Sequence, residues 1–146
     1  MKVDIEESSG FCFGVKNAVT IAEDVLRDGE TVYCLGEIVH NDIEVARLTS
    51  LGLKAITYEE FATLRDNKVL IRAHGEPSST YEKARENNIT IIDATCPIVR
   101  SMQEKIRKVA ELSRDEKGQI VIYGKEGHAE VIGLMSAAGP GGILVT

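Results

Sequence analysis

The 146-residue chain lacks the sequence features of several protein classes. No apolar run approaches the roughly 20 residues that span a bilayer, and the net charge of −6 comes without a block of Lys and Arg. We therefore expect no membrane span and no nucleic-acid surface, which would need clustered basic side chains. Residues 1–6 alternate in polarity like a strand and show no signal-peptide pattern, so we expect a cytoplasmic protein.

Cysteine is scarce, and its spacing excludes the commonest metal motifs. The three cysteines, Cys12, Cys34 and Cys96, lie far apart in sequence, and no C-x-x-C pair is present. A zinc ribbon or a thioredoxin-type motif is therefore not supported. A disulfide is not expected in a reducing cytosol. Any metal site must be assembled by the fold from distant positions.

Short apolar runs alternate with helical patterns along the whole chain. We predict strands near residues 2–6, 31–35, 53–56, 68–73, 89–93, 119–124 and 142–146. Between most of them lie helices. The first of these has an apolar stripe formed by Val15, Ala18, Val19, Ala22, Val25 and Leu26. Strands that alternate with helices predict an α/β fold with a parallel sheet and right-handed crossovers.

Helix-end signals support these assignments. Asn41 can cap a helix, Thr57 with Glu60 forms a capping-box pattern, and Pro77 and Pro97 each suit a first helical turn. We expect the helix that follows Pro97 to reach about residue 113. Its apolar stripe is predicted to face inward and comprises Ile98, Met102, Ile106, Val109 and Leu112.

The reactive residues concentrate in the turns between strands and helices. His40, His74, Cys96 and His128 each follow a predicted strand, and Cys12 lies between the first strand and the first helix. In open α/β sheets such turns form the carboxyl edge, where ligands bind. The helices that follow offer free N–H groups, which suit an anion. We therefore expect an anion site at this edge.

Each residue also has an ordinary structural interpretation. A single loop histidine is usually just solvated, and Cys34, inside a predicted strand, is expected to be a small buried hydrophobe. Cys12 and Cys96 differ because a thiol at a helix N-terminus is favoured as a nucleophile or metal ligand. Glu130 suits either a helix cap or proton transfer.

The charged neighbours of these turns receive no role at this point. Lys16, Arg72 and Lys125 lie close to them in sequence, and we interpret all three as solvated surface charges.

Five motifs together resemble the LytB family of 4-hydroxy-3-methylbut-2-enyl diphosphate reductases. They keep the family's order and spacing over almost the whole chain. The matching segments are Gly10-Phe-Cys-Phe-Gly-Val-Lys16, Leu35-Gly-Glu-Ile-Val-His-Asn41, Ala73-His-Gly75, Asp93-Ala-Thr-Cys-Pro97 and Gly127-His-Ala-Glu-Val131.

The resemblance implies a specific activity and site. Family members reduce the allylic diphosphate to isopentenyl and dimethylallyl diphosphates, the last step of the non-mevalonate (MEP) isoprenoid route, with reduced ferredoxin or flavodoxin as electron donor. Their [4Fe–4S] cluster is held by three cysteines, two of which match Cys12 and Cys96. The diphosphate-binding histidines match His40, His74 and His128, and the proton-relay glutamate matches Glu130.

The resemblance also implies a domain organisation. The family fold has three similar α/β/α units in pseudo-threefold arrangement around a central cavity. We expect residues 1–96 to form the first unit and residues 97–146 part of the second, so that the chain is truncated. The family's third cluster ligand would lie well beyond Cys96, outside this sequence, and Cys34 does not match it. The chain alone is therefore expected to be inactive.

Two other classes of function stay open at this point. One is a thiol- or zinc-dependent enzyme that acts on a phosphorylated metabolite through the same cysteines and histidines. The other is a non-catalytic α/β binding module.

Overall fold

The computed structural model describes residues 2–4, 6, 9–113 and 118–146. In this part of the chain, helices and strands alternate as the sequence predicts. The helices are α1 Phe13–Leu26, α2 Asp42–Ser50, α3 Tyr58–Thr63, α4 Ser78–Glu86, α5 Pro97–Leu112 and α6 Ala129–Ala138, and a 3₁₀ turn spans Gly139–Gly141. The strands are β1 Val32–Leu35, β2 Leu53–Ile56, β3 Lys68–Ile71, β4 Thr90–Asp93, β5 Ile120–Tyr123 and β6 Gly142–Val145.

Four strands form one parallel sheet in the order β2-β1-β3-β4. Tyr33 of β1 stands opposite Val69 of β3, which in turn stands opposite Ile91 of β4. The strands β5 and β6 form a second, two-stranded parallel sheet. The prediction of a parallel-sheet α/β fold is confirmed. Because the four strands run in one direction, the turns after β1, β3 and β4 lie on the same edge of the sheet.

The core lies between the larger sheet and its helices. The predicted stripe of α1 is confirmed, since Ala18, Ala22 and Leu26 are buried and the three valines pack partly buried against the same cluster. Val32 and Leu70 of the central strands are fully buried in this cluster. This packing fixes α1 against the sheet and places its N-terminal end at the carboxyl edge of the strands.

The predicted caps at Asn41 and at Thr57 with Glu60 are confirmed, as is Pro97 in a first helical turn, but Pro77 lies outside the helix that follows it. Asn41 Oδ1 accepts a hydrogen bond from the Glu44 N–H at 3.0 Å, and Thr57 and Glu60 form a reciprocal capping box. Pro97 is the first residue of α5, whereas Pro77 immediately precedes α4. Asn41 thus starts α2 directly after His40, and Pro97 starts α5 directly after Cys96.

The predicted strand over residues 2–6 is wrong for the described part of that segment. Residues 2–4 and 6 have no strand structure, and residue 5 lies outside the described residues. The side chain of Val3 is 70% exposed. An alternating pattern shows which side chains would share a face, but a strand also needs a hydrogen-bonded neighbour. No described strand pairs with this segment.

The prediction that the whole apolar stripe of α5 faces inward is also wrong. Ile98 and Leu112 are 72% and 78% exposed, and Met102 and Val109 are about half exposed. Only Ile106 packs partly buried against the second sheet's cluster. The 3.6-residue period identifies a stripe but not the surface that covers it, and α6 packs against a neighbouring face of α5.

No helix in the described ranges is long and apolar enough to cross a bilayer.

Candidate functional site

Three imidazoles converge at the carboxyl edge of the larger sheet. The ring centroids of His40 and His74 are 6.1 Å apart, and those of His74 and His128 are 5.6 Å apart in an edge-on arrangement. His40 follows β1, His74 follows β3 and His128 follows β5, so three separate turns contribute one ring each. The sequence placed these side chains in strand-to-helix turns, and the structure brings them together.

A tight turn holds His74 at the centre of this group. The Gly75 N–H donates to the Arg72 carbonyl at 3.0 Å, and Gly75 has a φ of 71°, which favours glycine. Burial and the nearby Arg72 guanidinium lower the pKa of His74 below its ordinary value. The imidazole is therefore neutral at pH 7. Its buried Nδ1 has no hydrogen-bond partner among the described residues.

The other two histidines are more exposed. His128 caps α6, and its Nδ1 accepts a 3.3 Å hydrogen bond from the backbone N–H of Glu130. This fixes the ring and leaves Nε2 available to a ligand. His40 lies 4.0 Å from the Glu37 carboxylate, and both side chains are exposed. The cap function of His128 was not expected from the sequence, which pointed to the glutamate for that role.

Glu130 lies in the first turn of α6, beside the imidazoles. Its side chain is half-buried, and its negative charge opposes the lowering of the His74 pKa. The carboxylate is therefore close enough to act electrostatically on the central imidazole. Its position suits both helix capping and proton transfer.

The candidate thiols lie at the same edge. Cys96 directly precedes α5, and its backbone N–H donates to the Ala73 carbonyl at 2.9 Å, one residue from His74. Cys12 directly precedes α1. Gly14 in the first turn of α1 packs on Cys96, since a Cβ atom at Gly14 would lie 2.7 Å from Cys96 Sγ. The turn of Cys96 thus meets the start of the helix that Cys12 begins.

The two thiols fit two ligand positions of a cluster, and the described residues provide no third one. Cys12 is exposed, and Cys96 is buried at the edge of the core. Cys34 is fully buried, and burial raises its pKa to about 12, so it stays a protonated core thiol as predicted. In the described ranges no three His, Cys, Asp or Glu side chains are grouped so that they could hold a metal ion.

A cavity of about 440 Å³ lies over the imidazoles. Besides the three histidines it is lined by Tyr58, Arg72 and Lys125. The interpretation of Arg72 as a solvated charge is wrong, because its side chain is only 11% exposed and is paired with Glu76, which is 1% exposed. Tyr58 and Glu76 were missed altogether. Their partners come from different turns, which no local pattern of the sequence reveals.

A larger cavity, of about 650 Å³, lies at the far ends of α5 and α6. It contains none of the cysteines or histidines, and its charged lining is Arg107 and Glu111. Ser113 and Gly118 border it, and residues 114–117 between them lie outside the described part of the chain. We assign the candidate site to the smaller cavity because the reactive side chains are there.

Comparison with known proteins gives one consistent family. The family described as LytB protein matches residues 3–146. A 4-hydroxy-3-methylbut-2-enyl diphosphate reductase of Bacteroides thetaiotaomicron is 54% identical over 145 residues, covering 99% of this chain and 50% of the relative. A Bacteroides fragilis protein of the same name is 58% identical over 136 residues, covering 92% of this chain and 47% of the relative.

Solved structures agree with this assignment. A structure described as (E)-4-hydroxy-3-methyl-but-2-enyl diphosphate reductase, the terminal enzyme of the non-mevalonate pathway, matches with a TM-score of 0.80 and 38% identity. The match covers 96% of this chain and 49% of the chain in that structure. The E-1-hydroxy-2-methyl-but-2-enyl-4-diphosphate reductase of Plasmodium falciparum matches with a TM-score of 0.83 and 30% identity, with 95% of this chain covering 42% of it.

The chain spans about half the length of the curated relatives it matches. The match to the family nevertheless extends over nearly every residue of the chain, and the fold agrees with that of the solved structures. The chain belongs to the LytB protein family.

Proposed function

We propose that this chain provides the diphosphate-binding imidazoles and two of the cluster thiolates of a 4-hydroxy-3-methylbut-2-enyl diphosphate reductase. The observation that carries the proposal is the group of three imidazoles, with centroids 5.6 and 6.1 Å apart, beside the turn of Cys96. The reaction takes in two electrons and two protons, breaks the C–O bond of the allylic alcohol and releases water. Its products are isopentenyl and dimethylallyl diphosphate.

The imidazoles suit a diphosphate that carries several acceptor oxygens. A neutral imidazole donates one hydrogen bond and a protonated one donates two. His74, which is kept neutral, holds one ring proton that it can donate. His128 is fixed through Nδ1, so its Nε2 is the atom available to a phosphate oxygen. Three rings from three turns thus surround one anion without a basic surface.

Cys12 and Cys96 are the residues of this chain that would hold the cluster. Each directly precedes a helix, Cys12 before α1 and Cys96 before α5. When bound, a [4Fe–4S] cluster supplies single electrons and an iron that can act as a Lewis acid. Cys34 holds no iron in this proposal, because it is sealed in the core.

Glu130 would supply a proton to the departing hydroxyl. It is half-buried next to His128 and acts electrostatically on His74. A carboxyl group in this position can exchange a proton with the imidazoles or with the bound diphosphate. A proton delivered to the hydroxyl converts a poor leaving group into water.

The proposal includes a domain organisation and partners. Residues 1–96, with the four-stranded sheet, form the first α/β/α unit, and residues 97–146, with the second sheet, form part of the next. Reduced ferredoxin or flavodoxin supplies the electrons, and the protein acts in the cytoplasm. The isolated chain does not reduce the substrate, because its described residues provide only two suitable thiols.

A fusion tests the proposal. This chain replaces the first half of the Bacteroides thetaiotaomicron relative, with which it is 54% identical. We expect the fusion to bind iron and sulfide after anaerobic reconstitution and to reduce the substrate. Cys12→Ser and Cys96→Ser lose the cluster, whereas Cys34→Ser keeps it. A fusion that works equally well without Cys12 or Cys96 contradicts the proposal.

The same preparation separates the alternative functions. An iron–sulfur cluster gives a brown protein, whereas zinc binds without colour in N/S geometry. Stoichiometric zinc without iron would favour the thiol- or zinc-dependent enzyme. A chain that binds neither metal nor diphosphate would favour a non-catalytic module.

A further inference from the structure

Arg72 is buried between two of the turns that form the site. It directly follows β3 and begins the turn that carries His74. Its side chain is only 11% exposed. Gly36, the residue after β1, lies over it, since a Cβ atom there would come within 2.8 Å of Arg72 Nη1. A side chain at position 36 would displace the guanidinium.

A buried carboxylate pairs with this guanidinium, and two hydroxyls hold the carboxylate in place. Arg72 Nη2 lies 3.4 Å from Oε1 of Glu76, whose side chain is 1% exposed. The Tyr58 hydroxyl donates to Glu76 Oε2 at 2.8 Å, and the Thr80 hydroxyl lies 3.4 Å from the same oxygen. The carboxylate is thus fixed from two sides, and it fixes Arg72.

The guanidinium keeps most of its hydrogen-bonding capacity unused. It carries five N–H donors, and in the described part of the chain it makes a long 3.4 Å contact to Glu76 and also interacts with the Tyr58 hydroxyl. Its Nε is buried and has no partner in that part of the chain. Leaving a buried donor unpaired is costly. Arg72 also lines the cavity over the imidazoles, so an anion in that cavity could take up these free donors.

We propose that Arg72 binds the anion in the imidazole cavity directly, and that Glu76 and Tyr58 are positioning residues for it. The class of ligand, a diphosphate ester, rests on the proposed function. The planar fork of a guanidinium recognises phosphate oxygens in pairs, which an imidazole cannot do. The negative charge of Glu76 lies close enough to weaken the attraction of Arg72 for an anion. The role of Glu76 is to hold the guanidinium in position.

The charge distribution of the cavity supports this role. Arg72 is, after burial, the main cause of the lowered pKa of His74. A neutral His74 contributes a donor but no positive charge. Arg72 then supplies a charge that does not change with pH in the physiological range, because the guanidinium stays protonated. Lys125 also lines the cavity but is exposed.

The experiment is calorimetric titration of the 146-residue chain with inorganic pyrophosphate. Arg72→Met alone would leave Glu76 buried without its cation, so the decisive pair is Glu76→Gln and Arg72→Met/Glu76→Gln. Glu76→Gln keeps an acceptor oxygen for Tyr58 and removes the negative charge, and its affinity is the reference with which the double variant is compared. The double variant should bind at least about tenfold more weakly.

Three further variants make the result specific. Arg27→Met removes an exposed arginine that directly follows α1 and does not line the cavity, and it should not change binding. Lys125→Met should weaken binding less than the loss of Arg72, since Lys125 is solvated. Arg72→Lys keeps the charge without the fork and should weaken binding several-fold. If circular dichroism shows the double variant to be unfolded, Arg72→Lys provides the test instead. Binding by Arg72→Lys that equals that of the unsubstituted chain then overturns the proposal.

His74→Asn separates the two proposals. Equal binding by Glu76→Gln and by the double variant, with loss of binding in His74→Asn, overturns the role of Arg72 and leaves the proposed function intact. Failure of the folded, unsubstituted chain to bind millimolar pyrophosphate overturns both. Weaker binding by both the double variant and His74→Asn supports both.

Discussion

Gly14 lies directly against Cys96, so that a methyl group on Gly14 would come within 2.7 Å of Cys96 Sγ and 2.9 Å of its Cβ. This contact joins the first turn of α1 to the turn that follows β4. It explains why a glycine occupies a helical position where alanine would otherwise be the better helix former. The thiol of Cys96 is thus placed beside the helix that Cys12 begins.

Gly14→Ala should therefore destabilise the protein despite the better helix propensity of alanine. We expect a loss of about 1–3 kcal/mol in the free energy of unfolding, because the new methyl group must displace a buried side chain. Cys96 should also react faster with a thiol reagent. Urea denaturation and mass spectrometry of the alkylated chain measure the two effects.

Gly141→Ala is the matched control for this substitution. A Cβ atom at Gly141 has no neighbour within 4 Å among the described residues, so the reactivity of Cys96 should stay unchanged. A Gly14→Ala protein as stable as the unsubstituted chain, with an unaltered Cys96, would show that the two residues do not touch.

The buried pair of Arg72 and Glu76 makes a second prediction. Arg72→Met removes one partner of an ion pair whose side chains are 11% and 1% exposed. The isolated carboxylate should cost about 3–5 kcal/mol of unfolding free energy. Arg72→Met/Glu76→Gln should recover most of that loss, because no charge is then left unpaired.

Denaturant titration of both variants measures this difference. Lys83→Met, which breaks the exposed pair with Glu86, serves as the surface control and should change stability little. If Arg72→Met were as mild as Lys83→Met, the pair would have to be solvated.

The lowered pKa of His74 predicts how stability depends on pH. Because the folded state resists protonation of this ring, the unfolded chain binds the proton more readily as the pH falls. The contribution of the neutral ring is complete above about pH 6.5, the ordinary pKa of histidine. It is lost as the pH falls from there through the lower pKa of the folded state.

His74→Asn isolates this contribution. The unfolding free energy of the unsubstituted chain should fall more steeply below pH 6.5 than that of the variant. Parallel slopes for the two proteins over that range would mean that the His74 pKa is the same in the folded and unfolded chains.

The exposed stripe of α5 predicts unequal effects along one helix. Ile106→Ala should cost about 1–2 kcal/mol, because Ile106 packs partly buried against the cluster of the second sheet. Leu112→Ala should cost little, since Leu112 is 78% exposed. Thermal unfolding of the two variants compares them, and an equal loss would place both side chains in the core.

The sheet and the turns of the site followed from the sequence because parallel strands place all their carboxyl ends on one edge. The strand limits were predicted to within two residues in the described part of the chain, apart from residues 2–6. His40 and His74 could be expected to meet because each follows a strand of the four-stranded sheet, whereas His128 follows β5 of the second sheet and is brought to them by the fold. The buried state of Cys34 followed equally well from its place inside β1.

The environment of the imidazoles did not follow from the sequence. Arg72 looked like a surface charge, and only the fold brings Gly36 over it and Tyr58, 18 residues from Glu76, beside its partner. The burial of α5 was overestimated for a related reason. Periodicity reports the relative orientation of side chains on one helix, whereas burial depends on what packs against that helix.

The most direct test of the central claim is a ¹H–¹⁵N spectrum of the histidine side chains during titration of the 146-residue chain with 4-hydroxy-3-methylbut-2-enyl diphosphate. If His40, His74 and His128 surround one diphosphate, all three imidazoles should shift along a single binding curve with one dissociation constant. Shifts of only one ring, or three rings with different midpoints, would contradict the assignment of these histidines to one shared site.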